Sequence, residues 1–209
     1  MALLDFCYRC PECGHDPMEG RDEHANCPGC GIRIERAKGR IVVSPPQDNM
    51  PYDITAAEIC RKIYQHGGPM TRATGEDGTV AYSARALVSW RVVEKAVWHR
   101  GELLGFAETM GPAEQGRIEV DGETVAVDDG RPASGRWAHL DLRAVQAASS
   151  SLQLSLPDKG LVELRFPGDS PRRWETLMHR LIADAWARAG RGRVVEFQPR
   201  IVALRGESR

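Results

Sequence analysis

Two short stretches near the start of the chain decide its fold: Cys10-Pro11-Glu12-Cys13-Gly14 and Cys27-Pro28-Gly29-Cys30-Gly31. Each has the form C-P-x-C-G. Two cysteines three positions apart can bind one ion from a single tight turn, and the following glycine permits the left-handed backbone that points amides at sulfur. Four thiolates suit a tetrahedral Zn²⁺ ion, which predicts four metal ligands: Cys10, Cys13, Cys27 and Cys30. Four protein ligands leave no position for water, so we expect a structural site.

The ligand set and the metal both have competitors. Iron bound as in rubredoxins also uses paired C-x-x-C-G knuckles, although with a longer insert than the thirteen residues between Cys13 and Cys27. Cys7 forms a second C-x-x-C pattern with Cys10, so Cys7 is an alternative to Cys10 as a metal ligand. His15 and His24 lie between the knuckles as further substitutes. We favour zinc and the four cysteines because that set is already complete.

Composition excludes several classes of protein. The chain has 209 residues, is 42% hydrophobic and 27% charged, and carries a formal net charge of −1. It has no run of about 18 apolar residues that would predict a membrane-spanning helix. It also has no evident secretory signal, so we expect a cytoplasmic protein with reduced cysteines. Residues 1–50 contain six Lys and Arg against eight Asp and Glu, which disfavours nucleic-acid binding.

One helix is predicted directly after the cysteine-rich region. Residues 55–66 repeat apolar side chains at helical spacing, and Thr55 with Glu58 makes a capping box. We therefore divide the first part of the chain into a metal-binding ribbon at 1–44 and a linker with one helix at 45–83.

The rest of the chain predicts strands followed by one long helix. Extended segments are expected at 86–98, 117–121, 124–127, 137–145, 152–156, 161–166 and 194–202. Ser170 is a predicted N-cap, Pro171 suits the first helical position, and Gly190 ends the helix. Trp174 and Trp186 lie on its apolar stripe, so we expect the helix to dock on the sheet.

This order of elements is an α+β signature. Residues 84–190 resemble the pleckstrin-homology (PH) superfold, including its GRAM-like members, in strand number and in the closing Trp-bearing helix. The resemblance implies a bent antiparallel β-sandwich or barrel closed by a C-terminal amphipathic helix, with a PH/GRAM-like domain over 84–209. The C-P-x-C-G ribbon before it completes the predicted architecture.

A second resemblance concerns the whole arrangement. The chain is similar to accessory regions of some bacterial glycerolipid acyltransferases, in which a C-P-x-C-G ribbon precedes a β-rich segment. The amino-acid sequences of residues 149–155 and 191–202 also resemble these regions. The resemblance implies a role in bacterial lipid metabolism. It leaves open whether the chain stands alone or is a detached region of a larger protein.

None of the short catalytic motifs in the sequence is complete and correctly arranged. His179 and Asp184 have the H-x4-D spacing of acyltransferases, but five residues along a helix place them on different sides of it. Gly168-Asp169-Ser170 resembles a hydrolase serine block, yet no D-x-x-H partner follows. The sequence contains no G-x-S-x-G elbow, P-loop or G-x-G-x-x-G motif. We therefore expect no enzymatic activity.

The predicted function is that of a noncatalytic zinc-binding adaptor whose PH-like domain docks a protein partner. One alternative is a peripheral module that binds anionic phospholipid at the inner membrane, because guanidinium groups hold phosphates well. Its candidate ligand-binding residues are Arg172, Arg173, Arg180 and His99. A zinc ribbon associated with nucleic acid is the remaining alternative.

Overall fold

A computed structural model describes residues 2–46, 50–66, 73–74, 80–148 and 150–191. Within these ranges the protein is mostly β-structure with two α-helices, arranged around two antiparallel sheets. No helix in the described ranges is long and apolar enough to cross a membrane.

The first sheet is a meander of five strands in sequence order. Its strands are β1 (Glu19–Arg21), β2 (His24–Asn26), β3 (Arg33–Ala37), β4 (Arg40–Ser44) and β5 (Tyr52–Ile54). Helix α1 (Ala56–His66) follows, and its predicted capping box is confirmed: the Thr55 amide donates to Glu58 at 2.9 Å, and the Glu58 amide donates to the Thr55 hydroxyl at 3.2 Å.

Helix α1 shares a core with this sheet and the cysteine-rich loops. Ile59 and Ile63 are buried among side chains that include Phe6, Ile34 and Val43. We call this unit, residues 2–46 and 50–66, the N-terminal module. The domain boundaries themselves stay a prediction.

The second sheet contains nine strands in the described ranges and curls into a half-barrel. Seven follow the spatial order β11-β10-β9-β7-β14-β13-β12, while β6 and β8 pair with β7 outside that path. The strands are β6 (Ala73–Thr74), β7 (Val80–His99), β8 (Glu102–Met110), β9 (Glu114–Val120), β10 (Thr124–Asp128), β11 (Gly135–Ala138), β12 (Ala144–Ala147), β13 (Leu152–Leu156) and β14 (Gly160–Arg165).

One predicted strand is interrupted. The expected segment 137–145 is split into β11 and β12 by a 3-10 turn at His139–Asp141. The turn buries the His139 ring, whose Nε2 lies 2.9 Å from the Asp121 carbonyl, while the His139 amide donates to the Glu123 carbonyl at 2.8 Å. This docking against the β9–β10 connection bends the chain where sequence alone predicts an extended segment.

The long helix α2 (Pro171–Arg188) packs on β12, β13 and the 3-10 turn. Its predicted cap is confirmed, since the Ser170 hydroxyl accepts a hydrogen bond from the Arg173 amide at 3.3 Å. Trp174 is buried and stacks on Phe166 with ring centroids 5.3 Å apart, whereas Trp186 is only half-buried. The predicted extended segment 194–202 lies outside the described residues.

Candidate metal centre

The first knuckle is a tight turn held by its own amides. The Cys13 amide donates to Cys10 Sγ at 3.4 Å, and the Gly14 amide donates to the Cys10 carbonyl at 3.0 Å. Gly14 has a φ of +74°, the left-handed conformation that its sequence position predicts. The Cys10 amide in turn donates to the His15 carbonyl at 2.8 Å, which closes the loop.

The second knuckle repeats this pattern bond for bond. The Cys30 amide donates to Cys27 Sγ at 3.4 Å, the Gly31 amide donates to the Cys27 carbonyl at 2.9 Å, and Gly31 has a φ of +76°. The Cys27 amide donates to the Ile32 carbonyl at 2.9 Å, as the Cys10 amide does to His15. Amides directed at sulfur stabilise thiolates, so both turns are built to present negatively charged ligands.

The two knuckles bring their four sulfurs together. Cys10 Sγ lies 3.6 Å from Cys30 Sγ, Cys13 Sγ lies 3.5 Å from Cys27 Sγ, and all four atoms fall within 4.8 Å of one another. Zn–S bonds of about 2.3 Å in a tetrahedron require sulfurs roughly 3.8 Å apart. The donor set and its spacing therefore fit one tetrahedral ion, and zinc is the plausible occupant.

The two remaining cysteines lie outside this group. Cys7 is fully buried in the core of the N-terminal module, and Cys60 is half-buried on α1. Burial, with smaller contributions from the nearby Cys60 and Cys27, raises the pKa of Cys7 to about 12. Burial also raises the pKa of Cys60. Both residues are therefore neutral thiols at physiological pH, and Cys7 does not take the place of Cys10 in the cluster.

The two histidines between the knuckles also stay outside the group. The exposed His15 ring lies against Gly29 in the second knuckle, where an added Cβ would come within 3.0 Å of it. His24 is part of β2. Neither belongs to the cluster, which consists of cysteines alone.

Residues between the ligands fasten the first knuckle to the rest of its module, a role that sequence reasoning missed. The Pro11 carbonyl accepts a hydrogen bond from His66 Nε2 at 2.8 Å. The Glu12 carboxylate accepts from the Tyr52 hydroxyl at 2.7 Å and from Lys62 Nζ at 2.5 Å. These partners lie on β5 and α1, so the knuckle holds the helix against the sheet. No sequence signal links positions 40 to 55 residues apart.

The same knuckle reaches the second half of the protein. Arg173, in the first turn of α2, donates to Asp16 at 3.1 Å and to Asp169 at 3.3 Å. The Ser170 hydroxyl, beside it, donates to the Asp5 carbonyl. The N-terminal module is thus joined to α2 by buried polar contacts next to the cysteine cluster.

The predicted ligand-binding arginines all lie at this junction. Arg172 pairs with Glu175 at 2.6 Å, and Arg180 donates to the Tyr64 carbonyl at 3.0 Å while stacking over the Tyr64 ring. A groove of about 440 Å³ opens between α1, α2 and β12, and Arg172 lines it. His99 is far along the chain in the β7–β8 turn region and is exposed. Ligand binding by these four residues stays a prediction.

The two catalytic look-alikes have other contacts. His179 Nε2 lies 3.2 Å from the Val145 carbonyl on β12, so the ring bonds to the sheet edge. Ser170 is the helix cap and also bonds to the N-terminal module.

No protein-family model and no curated protein matches this chain. The class that the fold and site define is therefore a mostly β protein with a four-cysteine cluster at metal-binding distance. The PH-like and acyltransferase-related resemblances stay predictions.

Proposed function

We propose that this chain is a noncatalytic zinc-binding adaptor in which the metal centre is structural. The observation that carries this proposal is the arrangement of the sulfurs of Cys10, Cys13, Cys27 and Cys30 within 4.8 Å of one another. Four thiolates complete the coordination of Zn²⁺ and leave no position for a reacting water. Reduced thiols of this kind are stable in a reducing compartment, which supports a cytoplasmic location.

The contacts around the cluster support an architectural role. Glu12 and Asp16 lie in and beside the first knuckle, and they bind Lys62 on α1 and Arg173 on α2. A metal that orders this loop therefore also orders the junction between the two halves of the protein. In small metal-binding units the metal supplies much of the folding free energy.

We assign the second half to a PH/GRAM-like binding domain. Seven strands form one antiparallel path around β7, and α2 packs over the β12–β13 end of the sheet. This arrangement supports the resemblance but carries no activity with it, since function depends on sites rather than folds. The proposed role is docking of a partner protein within bacterial lipid metabolism.

The lipid-binding alternative draws support from a specific surface. Six large apolar side chains on the β7–β8 hairpin are exposed to solvent, a concentration that marks interaction sites. The nucleic-acid alternative finds no such support, because residues 1–50 contain six Lys and Arg against eight Asp and Glu.

Metal analysis of the freshly purified protein tests the proposal. We expect about one zinc per chain, lost in Cys13→Ser and in Cys27→Ser and retained in the matched control Cys60→Ser. Hydrogen exchange should show residues 7–37 unprotected in the two ligand variants. Visible absorption from thiolate-to-iron charge transfer would show that the bound metal is iron rather than zinc. Purified protein that carries neither metal would contradict the proposal.

A further inference from the structure

The outer half of β7 and the whole of β8 form a two-stranded hairpin. Beyond Trp90, β7 pairs only with β8 among the described residues, in a register that runs from Arg91–Met110 to His99–Glu102. Arg100 and Gly101 close the turn with φ values of +50° and +84°, as in a type I′ hairpin. Within the described part of the chain, the ribbon therefore extends past the sheet with no third strand beside it.

Most of the large apolar side chains that are exposed in the described residues lie on this hairpin. Of nine large apolar side chains exposed in the described residues, six lie on it: Val92, Val93, Val97, Trp98, Leu103 and Leu104. Trp98 and Leu104 expose 62% and 63% of their surface. An isolated two-stranded ribbon gains little stability in water, so another phase or molecule is expected to cover these side chains.

Apolar groups occupy both faces of the ribbon near its end. Successive residues of a strand point to opposite faces, so Val97 and Trp98 lie on different sides of β7; the pairing shifts between them, and the extra residue, Leu104, lies on β8. Leu103 stands directly across from Trp98 and extends the apolar surface on that side. A flat protein surface covers one face of a ribbon, whereas the boundary of a bilayer surrounds both. Trp is also the side chain that favours this boundary, because its ring is apolar and its N–H is polar.

The charges near the tip suit an anionic surface. Residues 95–104 carry Lys95 and Arg100 against Glu102, a net charge of +1 with His99 neutral. Long cationic side chains can bury their stems while their charged ends reach phosphate groups. By contrast, Arg173 and Arg180 on α2 are already engaged with the N-terminal module.

We propose that the hairpin tip, residues 95–104, inserts into the headgroup–acyl boundary of an anionic phospholipid bilayer. Trp98, Leu103 and Leu104 are the apolar anchors, and Lys95 and Arg100 contact lipid phosphates. Among the described residues nothing pairs with the outer edges of the ribbon, whose backbone groups therefore need water, so insertion is shallow. This inference rests on the lipid-binding alternative given above, for which it names the binding site, and it does not depend on the metal centre.

Sedimentation with vesicles tests the inference on the full-length protein. The probes are vesicles of phosphatidylcholine alone and of phosphatidylcholine mixed with phosphatidylglycerol. We expect binding to the mixed vesicles that falls at least tenfold in the triple variant Trp98→Ser, Leu103→Ser, Leu104→Ser. Met50→Ser, a matched change at another exposed apolar residue, should bind as the wild type does. Lys95→Gln with Arg100→Gln should abolish the preference for anionic vesicles.

A second measurement remains informative if the triple variant folds poorly. Lipids brominated near the headgroup should quench tryptophan fluorescence more than lipids brominated deep in the chain, and Trp98→Phe should remove that quenching. Absence of binding to mixed vesicles at low salt, or full binding by a folded triple variant, overturns the inference. A dimer that the triple variant dissociates, without vesicle binding, would assign the hairpin to self-association instead. Zinc content measured on the same samples separates these outcomes from failure of the metal proposal.

Discussion

Arg173, in the first turn of α2, forms an ion pair with Asp16, which lies just after the first cysteine knuckle. Their atoms are 3.1 Å apart, and the side chains are only 13% and 6% exposed. Burial raises the pKa of Asp16, and the positive charge of Arg173 opposes that shift. The pair therefore places two charges in a poorly solvated junction, where each depends on the other.

Removing one partner of this pair should be more harmful than removing both charges. We expect Arg173→Met to lower the free energy of unfolding by about 3 kcal/mol, because it leaves the Asp16 carboxylate buried without its main partner. The double variant Asp16→Asn with Arg173→Met should recover part of that loss. Urea unfolding of the two variants and the wild type measures the difference. A loss in the double variant equal to or larger than that in Arg173→Met would contradict this expectation.

The two tryptophans of α2 should contribute unequally to stability. Trp174 is buried, stacks on Phe166 and donates from Nε1 to Asp169 at 2.9 Å. Trp186 is half-buried, and its Nε1 has no hydrogen-bond partner among the residues that the structure describes. We expect Trp174→Phe to cost about 1 kcal/mol for the lost hydrogen bond.

The matched change Trp186→Phe removes an indole whose buried N–H makes no hydrogen bond within the described part of the chain. Its cost should therefore be smaller than that of Trp174→Phe, and thermal unfolding of both variants in the same buffer makes the comparison. A larger loss of stability in Trp186→Phe than in Trp174→Phe would contradict this ranking of the two tryptophans.

His139 should make the protein sensitive to mild acid. Burial lowers the pKa of His139 below its ordinary 6.5, and the nearby Arg188 charge acts in the same direction. The unfolded chain then binds the proton more tightly than the folded chain, so stability falls as the pH drops through about 6.5. His139→Gln keeps a donor for the Asp121 carbonyl but does not titrate there. Its melting temperature should fall less than that of the wild type between pH 7.5 and pH 5.5.

A buried carboxylate locks the loop between β10 and β11. Asp129 accepts hydrogen bonds from Trp90 Nε1 at 2.7 Å, from the Ser134 hydroxyl at 2.8 Å and from Arg131 Nε at 2.6 Å. Burial opposes ionisation, but these bonds outweigh it and hold the pKa of Asp129 at about 2. Its contribution to stability is therefore complete above its ordinary pKa of 3.8 and is lost as the pH falls towards 2.

We expect Asp129→Asn to lower the free energy of unfolding at pH 7 by about 2 kcal/mol, because the amide cannot accept all of these bonds as an ion does. Asp128→Asn, at the exposed neighbouring residue, is the control and should change stability by less than about 0.5 kcal/mol. Urea titration of both variants measures the free energy of unfolding. Equal losses in the two variants would contradict the stabilising role of Asp129.

Several features of this protein could be predicted from sequence because they depend on neighbours along the chain. The four clustering cysteines follow from C-P-x-C-G spacing, in which each knuckle is closed by its own amides. The caps at Thr55 and Ser170 depend on residues three positions away. The predicted extended segments 117–121 and 124–127 are separated by only two residues, one of them Gly122, and they pair as the antiparallel strands β9 and β10.

Only the tertiary structure decided how these parts meet and what they leave uncovered. Asp16 and Arg173 are 157 positions apart, and no local pattern pairs them. The Val- and Trp-rich sequence of β7 is compatible with a buried strand, but exposure depends on which strand lies beside it. Trp90 has β14 as a neighbour and is buried, whereas Trp98 on the same strand pairs with β8 alone among the described strands and is exposed. Burial is a property of the partners that a segment finds in space, and those partners come from distant parts of the chain.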